Sequence, residues 1–320
     1  LELLNAFIDE LGLHSFPEKR LPDLRPAVFK AKKEESFLEP VQFLEIREFL
    51  IFIKIAKNFL DVSENPKLKS LGESFFYFPQ YLERLDFVFD SDGNIKDSAS
   101  PELKAIRKQL KEIKDSIESK LRRILTDSRN IEVIQEQIIT IKDGRWVIPV
   151  KRDFKGRMKG LVISTSGTGE TVYLEPELVV EDNNRFAEQR GEEKAEILKI
   201  LKRLTANIRL SFQEWEDLFR KTANLELLYS KARYAIQTNS TCPLMNQEGI
   251  FNLKKARHPL LNEPIPIDIR LGDDFNILII TGPNTGGKTV CLKTMGLLTL
   301  LARCGMFIPA QMGSEVALTD

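Results

Sequence analysis

The spacing of hydrophobic positions divides this chain into zones. Within 1–97 the spacing is helical. The stretch Val41–Leu60 carries Phe43, Leu44, Ile46, Phe49, Leu50, Ile53 and Phe59, apolar on nearly every face, and predicts a helix buried inside a helical core. Ser91-Asp-Gly-Asn94 is a turn signal that ends this zone. Ser100 and Pro101 then stand as N-cap and first helical residue of a second helix. Its apolar positions, Leu103, Ile106, Leu110, Ile113, Ile117, Leu121 and Ile124, step by 3, 4, 3, 4, 4 and 3, with Lys, Arg, Glu and Asp almost throughout between them. That seam predicts a helix paired along its length with one partner, running to Asp127, about 40 Å.

The period then drops to two. Gln137–Ile141 and Arg145–Val150 flank Asp143-Gly144, a strong hairpin signal. A basic loop follows, and Gly160–Ser164 and Thr171–Leu174 read as two more strands joined through Gly167-Thr-Gly169. From Pro176 to Pro243 no proline intervenes, and Gly191 alone interrupts a helical stripe through Ile197, Leu201, Leu204, Ile208, Phe212, Trp215, Leu218, Leu225 and Leu228. Unbroken, it would extend about 90 Å, its first half returning along the 98–130 helix and its aromatic second half packing on the N-terminal helices. In the last zone Phe251–Leu253, Ile265–Ile269 and Phe275–Ile280 are strand-like, Leu292–Arg303 is helical with a stop at Gly305, and Phe307-Ile-Pro309 opens a further strand. The expected fold class is multi-domain, α plus α/β: a helical core (1–97), an ascending lever helix (98–130), a small β clamp module (131–175) at the tip of an antiparallel coiled-coil lever, a descending helix (176–240), and the start of a P-loop α/β domain (250–320).

Composition narrows the classes. With 47 Lys plus Arg against 47 Asp plus Glu, any surface for a polyanion is a local patch rather than a global field. Three scattered cysteines and two histidines argue against a structural zinc site or a disulfide framework and suit a reducing compartment. The longest apolar stretch, around Phe49–Ile55, is broken by Lys54 and is too short to cross a bilayer. The expectation is a cytoplasmic protein with no membrane partner.

The sharpest chemical signal is Thr281-Gly-Pro-Asn-Thr-Gly-Gly-Lys-Thr289, directly after the apolar run 275–280 and before a helix. Strand, glycine-rich loop and helix N-terminus together form a phosphate cradle in which backbone N–H groups and the helix dipole face one anion. The candidate triphosphate-binding residues are Gly282, Pro283, Asn284, Thr285, Gly286, Gly287, Lys288 and Thr289, with Lys288 reaching the β/γ-phosphates and Thr289 holding Mg²⁺. Hydrolysis also needs an acidic strand end. After Lys288 the carboxylates are Glu315 and Asp320, both poorly placed, so these residues are expected to bind nucleotide and to be half of a hydrolytic site within a longer chain. The second signal is the loop 151–159, expected at a β-hairpin tip, where Lys151, Arg152, Lys155, Arg157 and Lys159 are interleaved with Phe154. Two readings compete: phosphate contacts on nucleic acid, independent of sequence and sensitive to salt, and an ordinary solvated loop. The lever placement favours the first. The cluster Lys120-Leu-Arg122-Arg123 reads as a solvated or salt-bridged helix face. Glu175, Glu181 and Asp182 read as cap and first-turn carboxylates, Cys291 as a small core residue, and His14 as a surface or core histidine.

The loop 281–289, the helix Leu292-Lys-Thr-Met-Gly-Leu-Leu298, the tail Gly305-Met-Phe-Ile-Pro-Ala310 and Ala256-Arg-His-Pro259 together resemble the ATPase domain of MutS-type proteins, whose Arg-His-Pro opens a strand. Asp97-Ser-Ala-Ser-Pro-Glu-Leu103 and Ser166-Gly-Thr-Gly-Glu-Thr-Val-Tyr-Leu-Glu-Pro176 resemble the family's second bacterial branch, which lacks the mismatch-reading domains. The likeness covers nearly all of 20–320. It implies ATP and Mg²⁺ as cofactors, Asn284 and Lys288 at the γ-phosphate, Ile265 or Pro266 beside the adenine, a structural His258, a homodimer with composite ATPase sites, and DNA threaded through the clamps. For the branch it implies suppression of recombination or action on stalled ribosomes through ribosomal RNA. The family's Walker B strand, dimer signature and nuclease-like C-terminal domain have no counterpart in these residues. A chromosome-maintenance ATPase, which also joins a P-loop to a coiled coil, has the opposite motif order, with the P-loop before the coil.

Overall fold

The computed structural model describes residues 1–154, 156–167, 169–283 and 287–318. The chain divides into two compact units. One is built from 22–48 and 79–212; the other from 1–21, 49–78 and 213 onward. No helix among the described residues is long and apolar enough to cross a membrane.

In the first unit α2 (Arg25–Ala31), the first part of α3 (Pro40–Val62) and α5 (Pro79–Val88) lead to α6 (Pro101–Thr126). Ser100 caps α6, its Oγ accepting the Leu103 N–H at 3.0 Å, and Pro101 occupies the first turn where its missing N–H costs nothing. Of the seam residues Leu103, Leu110, Ile113, Ile117 and Leu121 are buried, Ile106 and Ile124 are half-buried, and Leu125 rather than Ile124 completes the buried row, each buried residue contributing about 1.5–3 kcal/mol. The helix that covers them is α7 (Glu177–Leu210). Cross-links fix its direction: Ser100 Oγ donates to Glu196 at 2.8 Å, Arg107 Nε to Glu193 at 2.9 Å, and Lys120 Nζ to Asp182 at 2.7 Å. As numbers rise along α6 they fall along α7, so the pair is antiparallel.

Between these helices lies a four-stranded sheet: β1 (Thr140–Lys142), β2 (Arg145–Lys151), β3 (Gly160–Thr165) and β4 (Thr171–Pro176), in the order β1-β2-β4-β3 with antiparallel neighbours. Asp143 and Gly144, at φ 49° and 75°, form the β1–β2 turn, the left-handed pair that a two-residue hairpin demands. One face of the sheet, with Ile148, Val150 and Leu174, joins Ile113, Ile117, Leu121, Leu125 and Val179 in a single apolar cluster. Gly160 is obligatory, because a Cβ there would sit 2.2 Å from the Glu175 carbonyl oxygen.

The descending helix is not continuous. It breaks at Ser211 (φ −112°, ψ 32°), and α8 (Phe212–Gln237) follows. Arg209 donates to the carbonyls of Ala31 and Lys33 at 2.9 and 2.8 Å, while the Phe212 ring meets Phe29 edge-on at 5.5 Å. Meeting both anchors opens the helical ladder at Ser211, a tertiary demand with no local signal.

The second unit contains α1 (Glu2–Leu11), the rest of α3, α4 (Pro66–Ser74), α8, and a mixed sheet of β5 (Leu244–Asn246), β6 (Phe251–Ala256), β7 (Ile267–Leu271) and β8 (Glu315–Ala317), ordered β5-β8-β6-β7. Phe7, Phe16, Phe59 and Tyr229 pack ring to ring, with Phe16 and Tyr229 at 4.6 Å. The helix α9 (Lys288–Arg303) buries Leu298 and Ala302 against Phe251, Leu253, Ile269 and Val316. Three expectations are corrected here. Phe275–Ile280 is no strand: Ile277 and Ile279 are 79 % and 78 % exposed. An apolar run of that kind suits a strand covered on both faces, and no described segment pairs with it. Phe307-Ile-Pro309 makes one bridge, Ile308 to Thr241, rather than a strand, Pro309 having no N–H for a ladder. Arg257-His-Pro259 follows the end of β6 instead of opening a strand.

Candidate functional site

The glycine-rich loop leads into α9 as its residue types require. Gly287 is the N-cap at φ 77°, in the left-handed region, and supplies no side-chain cap, so among the described residues no side-chain oxygen caps the first-turn N–H groups. Gly282 is at φ 143° with no atom within 4 Å of where a Cβ would stand, which leaves room for a ligand to approach the backbone. Lys288 folds back and donates to the Gly282 carbonyl. Thr289 is exposed on the first turn. Pro283 is exposed; Asn284, Thr285 and Gly286 lie outside the described residues.

The loop borders a cleft of about 470 Å³ lined by Thr281, Gly287, Lys288, Val290 and Cys291 on one side and by His258, Asn262, Pro264 and Ile265 on the other. A cleft of that volume falls within the usual range for small-molecule sites. Ile265, 84 % exposed, presents an apolar surface at its rim, and His258 Nδ1 accepts the Leu260 N–H at 3.3 Å. Burial raises the Cys291 thiol above its ordinary pKa, which keeps it protonated and unreactive. The arrangement combines a cation, unpartnered helix N–H groups and an apolar wall, the groups a triphosphate carrying a flat base requires. The residues present therefore fit a nucleotide with its Mg²⁺. Among the described residues no group of three or more His, Cys, Asp or Glu is placed to hold a metal ion by protein ligands alone.

The basic loop in the β module differs from its expected form. It is no hairpin tip: it leaves β2 and enters β3, whereas β2 pairs with β4, so the loop crosses over one strand. Lys151 ends β2; Arg152 starts a short 3₁₀ turn and reaches the Gly169 carbonyl at 3.4 Å. Arg157 lies over the Phe154 ring at 4.8 Å. The Lys159 carbonyl accepts the Glu177 N–H at 3.1 Å, tying the loop to the start of α7. Arg152, Arg157 and Lys159 are exposed; Lys155 lies outside the described residues.

Sequence reasoning missed the anchor beneath this loop. Glu175 is 0 % exposed, and its carboxylate accepts Arg145 Nη2 at 2.7 Å and Asn183 Nδ2 at 2.8 Å. That carboxylate is also the main reason the Arg145 guanidinium titrates above its ordinary value. Asn183 holds both the N–H and the C=O of Trp146, at 3.0 and 3.1 Å. Glu175 and Asp182 thus lock strands and helices together rather than merely capping α7; the only sequence hint was a Glu directly before Pro176.

Comparison with known proteins agrees with this geometry. The family model for MutS domain V matches residues 278–320. The chain is 38 % identical over 307 residues to Endonuclease MutS2 of Bacillus velezensis, covering 94 % of this chain and 39 % of that protein. To Endonuclease MutS2 of Finegoldia magna it is 39 % identical over 295 residues, covering 89 % of this chain and 37 % of the relative. With Geobacillus sp. Endonuclease MutS2 it shares 37 % identity over 303 residues, 92 % of this chain and 38 % of the relative. The chain thus spans less than two-fifths of the length of these curated relatives. Matched along nearly its whole length by such relatives, the chain belongs to the MutS family, in its second bacterial branch.

Proposed function

We propose that this chain binds ATP with Mg²⁺ in the 470 Å³ cleft and holds DNA through the basic loop of the β module, as part of a MutS-type ATPase that controls recombination. One observation carries the nucleotide half: Lys288 and the uncapped first turn of α9 line one cleft with the apolar Ile265 and Pro264. Mg²⁺, when bound, neutralises phosphate charge and orients the terminal phosphoryl group. The protein's part is to supply the counter-charge at Lys288 Nζ, released from the Gly282 carbonyl, to donate N–H groups from the start of α9, and to offer the Thr289 hydroxyl to the metal. Asn284 is assigned to the γ-phosphate and the wall at Pro264 and Ile265 to the base; Pro266, the other residue expected beside the adenine, is not among the residues that line the cleft. Hydrolysis and a homodimer with shared ATPase sites are proposed for the longer protein. The nuclease activity in the relatives' names is not assigned to these residues.

For the grip, the exposed Arg152, Arg157 and Lys159 together with Lys151 and Lys155 contact phosphates. A ribosome-directed reading uses the same cations on ribosomal RNA. Lys288→Ala is expected to weaken binding of a non-hydrolysable ATP analogue at least tenfold while the thermal melt stays unchanged; undiminished affinity refutes the cleft assignment. Arg152→Ala/Arg157→Ala/Lys159→Ala is expected to flatten the salt dependence of duplex DNA binding, the slope falling by about 0.9 for each phosphate no longer neutralised. Parallel titration of ribosomes separates the two targets, and an unchanged slope on both removes the loop from the interface.

A further inference from the structure

Alternation along the strands places a second set of groups on the sheet face opposite the apolar cluster. Successive side chains of a strand point to opposite faces. Ile148, Val150 and Leu174 face the helices; the register therefore puts Arg145, Val147, Pro149 and Lys151 of β2 with Thr171 and Tyr173 of β4 on the other face, joined by Lys142 of β1. Val147 and Pro149 are buried, while Lys142, Lys151, Thr171 and Tyr173 are half-buried. Lys142 Nζ lies over the Tyr173 ring at 4.5 Å. Among the described residues neither Lys142 nor Lys151 forms an ion pair, and the one carboxylate on this face, Glu175, is engaged by Arg145. Lys142 is paired with Arg145, the first residue of β2, and Lys151 is the last, so their backbone positions stand about 20 Å apart along the sheet, while Lys142 Nζ reaches along it to the Tyr173 ring, which lies beside Pro149.

We propose that this face is a stacking platform for unpaired nucleotides, with Tyr173 taking a base and Lys142 and Lys151 the flanking phosphates. The magnitudes favour the exchange. A lysine over a partly solvated ring such as the half-buried Tyr173 is worth about 0.5–1 kcal/mol, whereas a base stacked on an aromatic side chain is worth about 1–3 kcal/mol. Lys142 therefore gains by moving to a phosphate and yielding the ring to a base. A paired base inside a duplex offers no free π-face, so this site selects single-stranded or branched nucleic acid, while the loop 151–159 holds backbone of any kind. The inference rests on the nucleic-acid reading above and names the class of strand it takes.

The test titrates the 320-residue chain with labelled oligo(dT), oligo(rU) and a blunt DNA duplex of equal length, compared at one salt concentration and, for oligo(dT), repeated over a salt series. Tyr173→Ala is expected to lose about tenfold in affinity for oligo(dT), Tyr173→Phe to retain wild-type affinity, and the duplex to change less than twofold with either. Lys142→Ala, which leaves the ring in place, is expected to reduce the salt slope on oligo(dT) by about 0.7. Oligo(dT) affinity undisturbed in Tyr173→Ala overturns the platform even if the loop triple variant loses binding. Equal losses on oligo(dT) and duplex overturn it as well, because they report a general phosphate surface. If Tyr173→Ala does not fold by thermal melt, a Tyr173→Leu variant that folds and binds oligo(dT) like wild type overturns it. No binding by the wild-type chain to any of the three probes overturns the nucleic-acid reading itself.

Discussion

Tyr229 shows how one half-buried phenol sets a pH limit. Burial first, and then its hydrogen bond to Glu18 at 2.5 Å, push its pKa from 10.0 up to about 12. A raised pKa means the fold prefers the neutral phenol, so the stabilisation is complete below pH 10 and is lost as pH rises from 10 toward 12. Tyr229→Phe is expected to retain more of its stability over that interval than the wild type, read as melting temperature against pH. Tyr81 and Tyr234 are also raised by burial, so the alkaline limb is shallower in the variant rather than absent. Parallel melting curves above pH 10 contradict this assignment. At the same scale, the role proposed for Lys288 is argued from the glycines around it in the chain. Lys142 has no such local signal: nothing near it in the chain announces Tyr173, thirty-one positions on.

Elements were legible where their signals are local. The stepping of Leu103, Ile106, Leu110 and Ile113 describes one face of one helix, and Asp143-Gly144 dictates its own turn, so α6 and the β1–β2 turn form where the pattern places them, although β1 spans Thr140–Lys142 rather than Gln137–Ile141. What could not be read was set by distant partners. Phe275–Ile280 has strand composition but no described neighbour to pair with, and β2 bonds to β4 instead of to β3, which follows it in the chain. The break at Ser211 answers to Arg209 and Phe212 packing on residues 29–33. Glu175 is the clearest case of a non-local joint, tying β2, β4 and α7 through one carboxylate. Breaking a buried ion pair leaves an uncompensated charge, so Glu175→Ala is expected to destabilise the chain by about 3 kcal/mol. Glu175→Gln, which keeps the shape and one acceptor, is expected to cost less. Urea unfolding measures both, and a near-neutral Glu175→Ala refutes the joint.

On the scale of the whole molecule, balanced charge leaves function to local surfaces: a cleft in one unit, and a basic loop with an aromatic face in the other. The chain's relatives are more than twice its length, and the proposed coupling between nucleotide and nucleic acid belongs to that larger assembly. The cleft itself is testable in this chain. Amide hydrogen exchange, with and without a Mg²⁺-bound ATP analogue, reads its two walls at once. Exchange is predicted to slow both in 258–267 and in the first turn of α9, Lys288–Cys291, and not to slow in Lys288→Ala. Protection confined to other parts of the chain, or equal in the variant, would contradict nucleotide binding in this cleft.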